Sequence, residues 1–307
     1  MGVKSRGARM APDMIKINEN KLIVLALQGR VVHADEFLPF EVGHDGKPHA
    51  LPGVGSITYN VKVGDPAFGW KSDHTEPGVS SVCTSEEKPY AKGYNFLACC
   101  GNEAKVISGD AKGKKGTVIG NHGGVEHVII DFPQDVLEKL TLDDKFLIKS
   151  VGQGLELTDH PEVLCYNLSP ALFKKMNLKE RGNALEVGVT HIIPAKIMGS
   201  GIGSLSCTRG DYDITTQDEL AISEYQLDSL RLGDIVAIED ADNSYGRCYK
   251  KGAVSICVVI HANSFVAGHG PGVMTLMTCV KPKKLVPVID KHANVAEILK
   301  IGRHQKS

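Results

Sequence analysis

The sequence predicts a mainly β protein with two β-rich lobes, each barrel-like or a sandwich, and a few short helices. Three observations support this fold class: most patterned segments are short and β-branched, turn residues bound them, and glycine is abundant, with 33 residues. The length of 307 residues exceeds that of an average domain, which favours two domains over one.

Strand-like segments follow one another along the chain. Each combines an apolar or alternating run with flanking turn residues, which is typical of β-strands. In chain order they are KLIVLALQGRVVHA, GTVIGNHGGVEHVIIDF, KFLIKSVG, EVGVTHIIPAKIMG, DIVAIED, AVSICVVIHANSF, VMTLMTCV and LVPVID.

Only three segments carry helix signals. Ser169 and Pro170 precede ALFKKMNLKERG as an N-cap and a first-turn proline, and Gly182 follows its end. Thr216 and Glu219 have capping-box spacing ahead of LAISEYQLDSL. The segment PQDVLEKL predicts two further helical turns.

A break in the strand pattern divides the chain. The stretch at residues 150–168 is the least periodic interior region, so we predict an N-terminal domain at residues 14–155 and a C-terminal domain at 156–307. Residues 1–13 are basic and lack the apolar segment of a signal peptide. We predict that they form a disordered arm or reflect a mis-assigned start.

Composition excludes several functional classes. Lysine and arginine (35) nearly balance aspartate and glutamate (36), so the chain has no overall field to attract a polyanion or an anionic membrane. No apolar stretch reaches the roughly 18 residues of a membrane span. The 8 cysteines lack a CxxC motif, which is typical of reduced, buried thiols. We expect a cytoplasmic protein that binds neither a membrane nor nucleic acid.

Two glycine-rich histidine segments are the first candidates for a site. VVIHANSFVAGHGPGV presents His261 at the end of an apolar strand and His269 in a glycine turn. GNHGGVEHVIIDF presents His122 on a turn, whereas strand alternation places His127 among apolar neighbours as a core histidine. We predict that the imidazoles of His122, His261 and His269 meet in space.

The third candidate is the loop KSDHTEPG beside the only tryptophan. Asp73, His74 and Glu76 supply the carboxylate and imidazole groups that divalent cations use as ligands. All three segments also have a simpler interpretation, because turn histidines often bond only to local backbone and Pro-Gly loops often hold solvated polar residues.

Together these segments predict a divalent metal site, for zinc or manganese, between the lobes. Its predicted ligands are His74, His122, His261 and His269, and its predicted catalytic base is Asp73 or Glu76. Predicted substrate contacts are Gly123, Lys196, Arg209 and Gly270. The glycine-rich segment KIMGSGIGS lacks the strand–turn–helix context of a dinucleotide fingerprint, so we expect no nucleotide cofactor.

The segment VISGDAKGKKGTV resembles the KOW hairpin of ribosomal and transcription-factor barrels. The resemblance implies that Lys112, Lys114 and Lys115 contact RNA phosphates, and the alternative is a solvated, lysine-rich hairpin.

Four segments together resemble the bacterial family catalogued as domain of unknown function 4438. They are GTVIGNHGGVEHVIIDF, AKIMGSGIGS, LGDIVAIEDADNSYGR and VVIHANSFVAGHGPGV. The resemblance extends over nearly all of the chain after about residue 14 and implies a β-rich, two-part cytosolic protein. It carries no catalytic assignment to any residue.

These observations favour a metal-dependent, hydrolase-like enzyme that acts on a small polar, amide-like substrate, and we expect a homo-oligomer. The alternatives are a KOW-like RNA-binding module and a non-catalytic protein that binds a small molecule or has a structural role.

Overall fold

The computed structural model describes residues 15–34 and 40–305. The predicted arm at residues 1–13 lies outside the described residues. No helix in the described ranges is long and apolar enough to cross a membrane.

Strands dominate the described part of the chain. They are β1 (Leu25–Val31), β2 (Glu41–Val42), β3 (Pro48–His49), β4 (Ile57–Thr58), β5 (Gly78–Cys83), β6 (Glu103–Val106), β7 (Lys115–His122), β8 (His127–Asp131), β9 (Lys145–Ser150), β10 (Leu164–Cys165), β11 (Leu178–Arg181), β12 (Ala184–Val189), β13 (His191–Pro194), β14 (Met198–Ile202), β15 (Tyr212–Ile214), β16 (Ile235–Asp242), β17 (Cys248–Val259), β18 (Gly272–Cys279) and β19 (Leu285–Ile289).

The α-helices are short. They are α1 (Lys88–Leu97), α2 (Gln134–Leu137), α3 (Pro170–Phe173), α4 (Glu219–Tyr225) and α5 (Val295–Leu299). Single 3-10 turns occur at Glu19–Lys21, Ala195–Ile197, Leu227–Ser229 and Gly302–His304.

The first lobe is a closed antiparallel barrel. Its strands pair in the order β1-β9-β6-β7-β8-β5, and β5 pairs back to β1 to complete the ring. Strand β9 alternates exposed and buried residues, as expected for a strand with one face on the barrel core. Phe132, Phe146 and Ile148 are among the side chains that fill this core.

The second lobe is an open sheet. Its strands pair in the order β13-β16-β17-β18-β15-β14, and β10 also pairs with β18. Strands β11, β12 and β19 form a separate three-stranded sheet. All residues of β18 are buried, which explains why MTLMTCV is continuously apolar or small. The predicted mainly β fold with two β-rich lobes and a few short helices is confirmed.

The two lobes share a hydrophobic core. Ile119 and Ile129 of the barrel belong to the same buried cluster as Ile260 and Met274 of the second lobe. A Cβ added at Gly120 of β7 would lie 2.6 Å from Ile260 Cγ2, so the strands approach closely here. This packing brings the end of β7 next to the end of β17, where the histidines lie.

The chain passes from one lobe to the other between two strands. It leaves the barrel after β9 and first pairs with the second sheet at β10. The predicted division between residues 155 and 156 falls in this connecting segment, and the two-domain division stays a prediction.

The predicted helix after Ser169 is much shorter than expected. Ser169 is the N-cap, since its hydroxyl accepts a bond from Leu172 N at 3.1 Å, but α3 ends at Phe173. Residues 178–181 instead form β11 and turn back through Gly182, whose φ is 63°, to pair with β12. Strand pairing with a neighbour outweighs the helix propensity of this segment.

The other helix boundaries also differ from the predictions. The N-cap of α4 is Asp218, whose side chain accepts from Leu220 N, and Thr216 instead donates to Asn263 Oδ1 at 2.6 Å. Helix α2 has one turn, not the two predicted.

Asp131, at the end of β8, is a buried carboxylate with incomplete hydrogen bonding. Its Oδ2 accepts from Gly302 N at 3.1 Å, whereas Oδ1 has no partner in the described structure. Burial raises the pKa of Asp131 to about 7, although the Gly302 amide and the charge of Lys62 lower it. The folded state therefore favours the protonated acid over a wide pH range.

We expect Asp131→Asn to stabilise the protein at pH 8. Because the folded-state pKa is raised, the stability contributed by the neutral acid is present below about pH 4 and is lost as pH rises to about 7. Over that pH window, the free energy of unfolding of the Asp131→Asn protein should rise relative to that of the wild-type protein, by on the order of 4 kcal/mol. Thermal unfolding at pH 5 and pH 8 checks this, with the exposed Asp135→Asn as matched control. An equal effect of both substitutions, or an effect independent of pH, would contradict the assignment.

Candidate metal centre

A cluster of histidine and aspartate side chains lies where the two lobes meet. His74 lies in the loop before β5, and His122 is the last residue of β7. The second lobe contributes Asp211 and Asp213 at the start of β15, and His261 just after β17. Neither lobe alone holds the complete cluster.

The loop that carries His74 is held in an uncommon conformation. His74 has a φ of 50°, in the left-handed region that residues other than glycine rarely adopt. Backbone bonds to the second lobe fix this loop, from His74 N to Asn263 O at 3.3 Å and from Ala262 N to Thr75 O at 2.9 Å. Such strain held by its surroundings is typical of functional sites.

Two overlapping groups of side chains have the spacing of metal ligands. One contains His74, Asp213 and His261, and the other contains His122, Asp211 and His261; within each group the ligand atoms lie within 4.8 Å of one another. These five side chains are all buried except His74, which is half-buried. His261 belongs to both groups.

The geometry around His261 indicates one ion position. Its Nδ1 lies 2.9 Å from Ala262 O, so Nε2 is the nitrogen that faces the aspartates. Nε2 lies 2.8 Å from Asp211 Oδ2 and 3.5 Å from Asp213 Oδ1. Ligands at about 2.1 Å from one ion stand about 3.0–3.4 Å apart at octahedral or tetrahedral angles. Because both groups share this nitrogen, together they could hold one ion.

Carboxylates orient the other two histidines from behind. His122 Nδ1 lies 2.7 Å from Glu76 Oε1, and His74 Nδ1 lies 2.5 Å from Asp73 Oδ2. In both rings Nε2 is therefore the nitrogen that could bind an ion held by the cluster. This is the carboxylate–histidine–metal arrangement that fixes the tautomer and orientation of metal ligands.

Glu76 is fully enclosed behind the cluster. It is 1% exposed, and its two oxygens contact His122, His127, the Ser80 hydroxyl and Gly55 N. Burial alone would raise its pKa, but His127 and His122 outweigh burial and hold the pKa of Glu76 well below its usual range. Asp73 is similarly occupied, because its Oδ1 accepts from Phe265 N at 3.2 Å. The two predicted bases therefore contact the Nδ1 atoms of the imidazoles, and the Nε2 atoms are on the opposite side of each ring.

The cluster is electrostatically suited to a cation. Burial lowers the pKa of His261, but hydrogen bonds to Asp211 and Asp213 outweigh it and raise the pKa well above the usual range. Burial likewise lowers the pKa of His74, but bonds to Asp213 and Asp73 raise it to about 9. The buried carboxylates thus favour positive charge at His261 and His74, whereas burial and the charge of His261 lower the pKa of His122, which favours the neutral ring that can bind a metal ion.

Glycine keeps the space at the centre open. A Cβ added at Gly272 of β18 would collide with His261 Nε2 and Asp211 Oδ2, so any larger residue would occupy the position where these ligands converge. Gly123 and Gly203 allow the two lobes to approach, because a Cβ on Gly123 would lie 2.5 Å from the Gly203 carbonyl carbon.

A cavity of about 760 Å³ opens onto the cluster. His74, His122 and His269 line it, together with apolar residues. His269 is half-buried, and its Nδ1 lies 3.0 Å from both His74 Nε2 and Asp213 Oδ2. The structure therefore brings all four predicted histidine ligands together, with His269 at the cavity and outside the two ligand groups.

The predicted substrate contacts are divided between the site and the surface. The amides of Gly123 and Gly270 donate to Asp211 Oδ1 at 2.8 Å and to Asp213 Oδ2 at 3.3 Å, so they hold the aspartates. Lys196 and Arg209 do not line the cavity. Lys196 is exposed, and its ammonium lies 5.5 Å from the centre of the Tyr225 ring.

Sequence reasoning missed Asp211 and Asp213. The signal was present, because aspartates at alternate positions of a strand-like segment project from the same face. His127 is buried as predicted, but its Nδ1 also contacts the Glu76 carboxylate at 3.0 Å.

The three lysines of the KOW-like hairpin are exposed: Lys112 and Lys114 lie between β6 and β7, and Lys115 is the first residue of β7. Lys115 Nζ lies 2.7 Å from Glu103 Oε2, and Lys114 Nζ lies 4.0 Å from Asp135 Oδ2. An RNA contact through this hairpin stays a prediction.

We expect Glu76→Gln to weaken metal binding by about 10–100-fold, because glutamine keeps the shape of the side chain but loses the charge that orients His122 and His127. Competition against a chromophoric chelator measures the affinity. Glu41→Gln is the matched control, since Glu41 lines the same cavity and has no hydrogen bond to the histidine cluster. Equal affinities for the two variants would show that Glu76 does not act on the centre.

Two family models match consecutive parts of the chain. The model described as "Domain of unknown function (DUF4438), N-terminal" matches residues 40–174, and "Domain of unknown function (DUF4438), C-terminal" matches residues 175–299. The crystal structure of TM1086 is similar over 92% of this chain and 99% of that chain, with 45% sequence identity and a TM-score of 0.88. No curated protein matches.

Proposed function

Because the chain belongs to the DUF4438 family, whose description names no activity, we propose its function from the site alone: a metal-dependent hydrolase of a small molecule with an amide-like bond. One observation carries the proposal. Three histidines and two aspartates from both lobes converge beside a cavity large enough for a small substrate.

The donor set supports a divalent transition metal. Imidazole nitrogens and carboxylate oxygens suit zinc and manganese, the two metals expected from the sequence. A bound ion would lower the pKa of a coordinated water to about 7 and so supply a hydroxide nucleophile at neutral pH. Asp73 and Glu76 act in this proposal as positioning residues for His74 and His122, in place of the catalytic role expected from the sequence.

His269 is the group that we propose as proton carrier. Unlike Glu76, it lines the cavity, and its side chain is more exposed than that of Asp73, whose oxygens are engaged by His74 and Phe265. As the water oxygen bonds to the carbonyl carbon, His269 takes the water proton. The C–N bond then breaks with its electron pair passing to nitrogen, and the same proton goes to the leaving amine. This assignment replaces the metal-ligand role expected for His269.

A turnover assay on the metal-loaded chain tests the proposal. The protein is loaded with zinc or manganese and screened against small amides and esters, before and after removal of the metal. We expect chelation to abolish hydrolysis, and His269→Ala to lower kcat by about 10²–10⁴-fold while metal content stays unchanged. Hydrolysis that persists in the metal-free protein would contradict the proposal, as would a loaded protein that cleaves none of these substrates.

We also propose a cytoplasmic location and a homo-oligomeric state. The scattered cysteines, which are all free thiols in the structure, support a reducing compartment. Light scattering tests the second proposal, and a mass equal to that of one chain would contradict it.

A further inference from the structure

We propose that this site acts on substrates that carry an apolar substituent beside the reacting carbonyl group and carry no anionic group. The inference rests on the proposed function and adds the class of substrate to it.

The cavity offers an apolar surface next to the histidines. Apolar side chains make up much of its lining, namely Leu51, Pro52, Val54, Val125, Phe265 and Val266. Phe265 packs against the His49 ring with a centroid distance of 4.6 Å, so two rings form part of the wall. An apolar group bound here would leave water, which favours binding.

The charges near the cavity disfavour an anion. Of the described residues that line it, the ionisable side chains other than histidines are Glu41 and Asp73, both acidic. The carboxylates of Asp211 and Asp213 would offset the two positive charges of a bound divalent ion. A substrate carboxylate or phosphate would therefore meet like charge without a neighbouring lysine or arginine in the described lining.

Two hydrogen-bond donors of the lining are also engaged. The Gly123 amide donates to Asp211 Oδ1 at 2.8 Å, and His49 Nε2 lies 3.1 Å from Asp45 Oδ1. An anion would have to displace these carboxylates to bind there. A neutral carbonyl oxygen needs only the ion itself as its partner.

Three hydroxamic acids test the inference, because the hydroxamate group chelates an active-site ion while its substituent occupies the cavity. Benzohydroxamic acid carries a neutral ring, 4-carboxybenzohydroxamic acid carries the same ring with an anionic group, and acetohydroxamic acid carries a methyl group. Calorimetric titration of the metal-loaded protein measures each affinity. We expect benzohydroxamic acid to bind at least about 10-fold more tightly than either of the others.

Val266→Asp tests whether the cavity wall is responsible. We expect this substitution to lower the affinity for benzohydroxamic acid by at least about 10-fold and to leave the affinity for acetohydroxamic acid nearly unchanged. Val288→Asp is the control, because Val288 is exposed on β19 and does not line the cavity. Equal effects of the two substitutions would overturn the role of the wall.

Metal content measured on the same samples separates the two proposals. If the protein holds its ion and the carboxylated probe binds as tightly as benzohydroxamic acid or more tightly, the substrate class is wrong and the proposed metal function stands. If the protein holds no ion and binds no hydroxamate, both proposals fail.

Discussion

Removal of the proposed divalent ion is expected to lower the melting temperature by about 6 °C. The ligands come from both lobes, so the site is formed only in the folded chain and binding stabilises the folded state by mass action. An ion present at about 1,000 times its Kd contributes about 4 kcal/mol. Each kcal/mol shifts the melting temperature by about 1.5 °C, because unfolding a chain of 307 residues carries an entropy of about 2.1 cal/mol/K per residue.

Scanning calorimetry of the metal-loaded and chelator-treated protein measures this shift. Adding back zinc or manganese should restore the higher transition, whereas magnesium should not, because it prefers all-oxygen ligands. A melting temperature that is the same with and without the metal would mean that the ion does not join the lobes.

The second large effect is expected from His261→Ala, which should weaken metal binding by more than about 10³-fold. His261 supplies the nitrogen that both ligand groups share, so its loss leaves neither group complete. It also leaves Asp211 and Asp213 buried without their main partner, which lowers stability. His33→Ala is the control, because the His33 side chain is 61% exposed and lies outside both groups.

Gly272→Ala separates loss of the ion from loss of the fold. The substitution keeps every ligand but places a methyl group against His261 Nε2 and Asp211 Oδ2, where the ligands converge. We expect this variant to fold and to bind the ion at least about 10²-fold more weakly than the wild-type chain. Wild-type affinity in a folded Gly272→Ala protein would place the ion elsewhere.

The strands were predictable because their signal is local. Apolar runs such as VSICVVI and MTLMTCV have one strong interpretation, and both lie in the central strands β17 and β18. Helices were less predictable. Helix α1 has Pro89 in its first turn but no side-chain N-cap, and it contains Gly93, so its helix signals are weak. The burial of Tyr94 and Asn95 stabilises this helix.

The histidines of the site could be proposed from sequence because glycine turns and strand ends expose side chains. The aspartates of β15 have an equally simple pattern, but alternation does not say which face meets another lobe. That choice depends on how the barrel packs against the second sheet, through contacts between residues such as Gly120 and Ile260.

The roles of Asp73 and Glu76 depend on side-chain direction. A sequence places carboxylates beside His74, but it does not show whether they point into the cavity or behind the rings. Glu76 points to the Nδ1 atoms of His122 and His127, which are 46 and 51 positions away in the chain. Pairings at such separation follow from barrel closure and are not encoded in local spacing.

Anomalous X-ray diffraction at the absorption edge of the bound metal tests the central claim most directly. We expect a single peak per chain at about 2.0–2.2 Å from Nε2 of His74, His122 and His261, with carboxylate oxygens of Asp211 and Asp213 completing the ligand set. A loaded crystal with no peak among these side chains, with its peak at another place, or with two peaks sharing the cluster would contradict the claim of one ion held between the lobes.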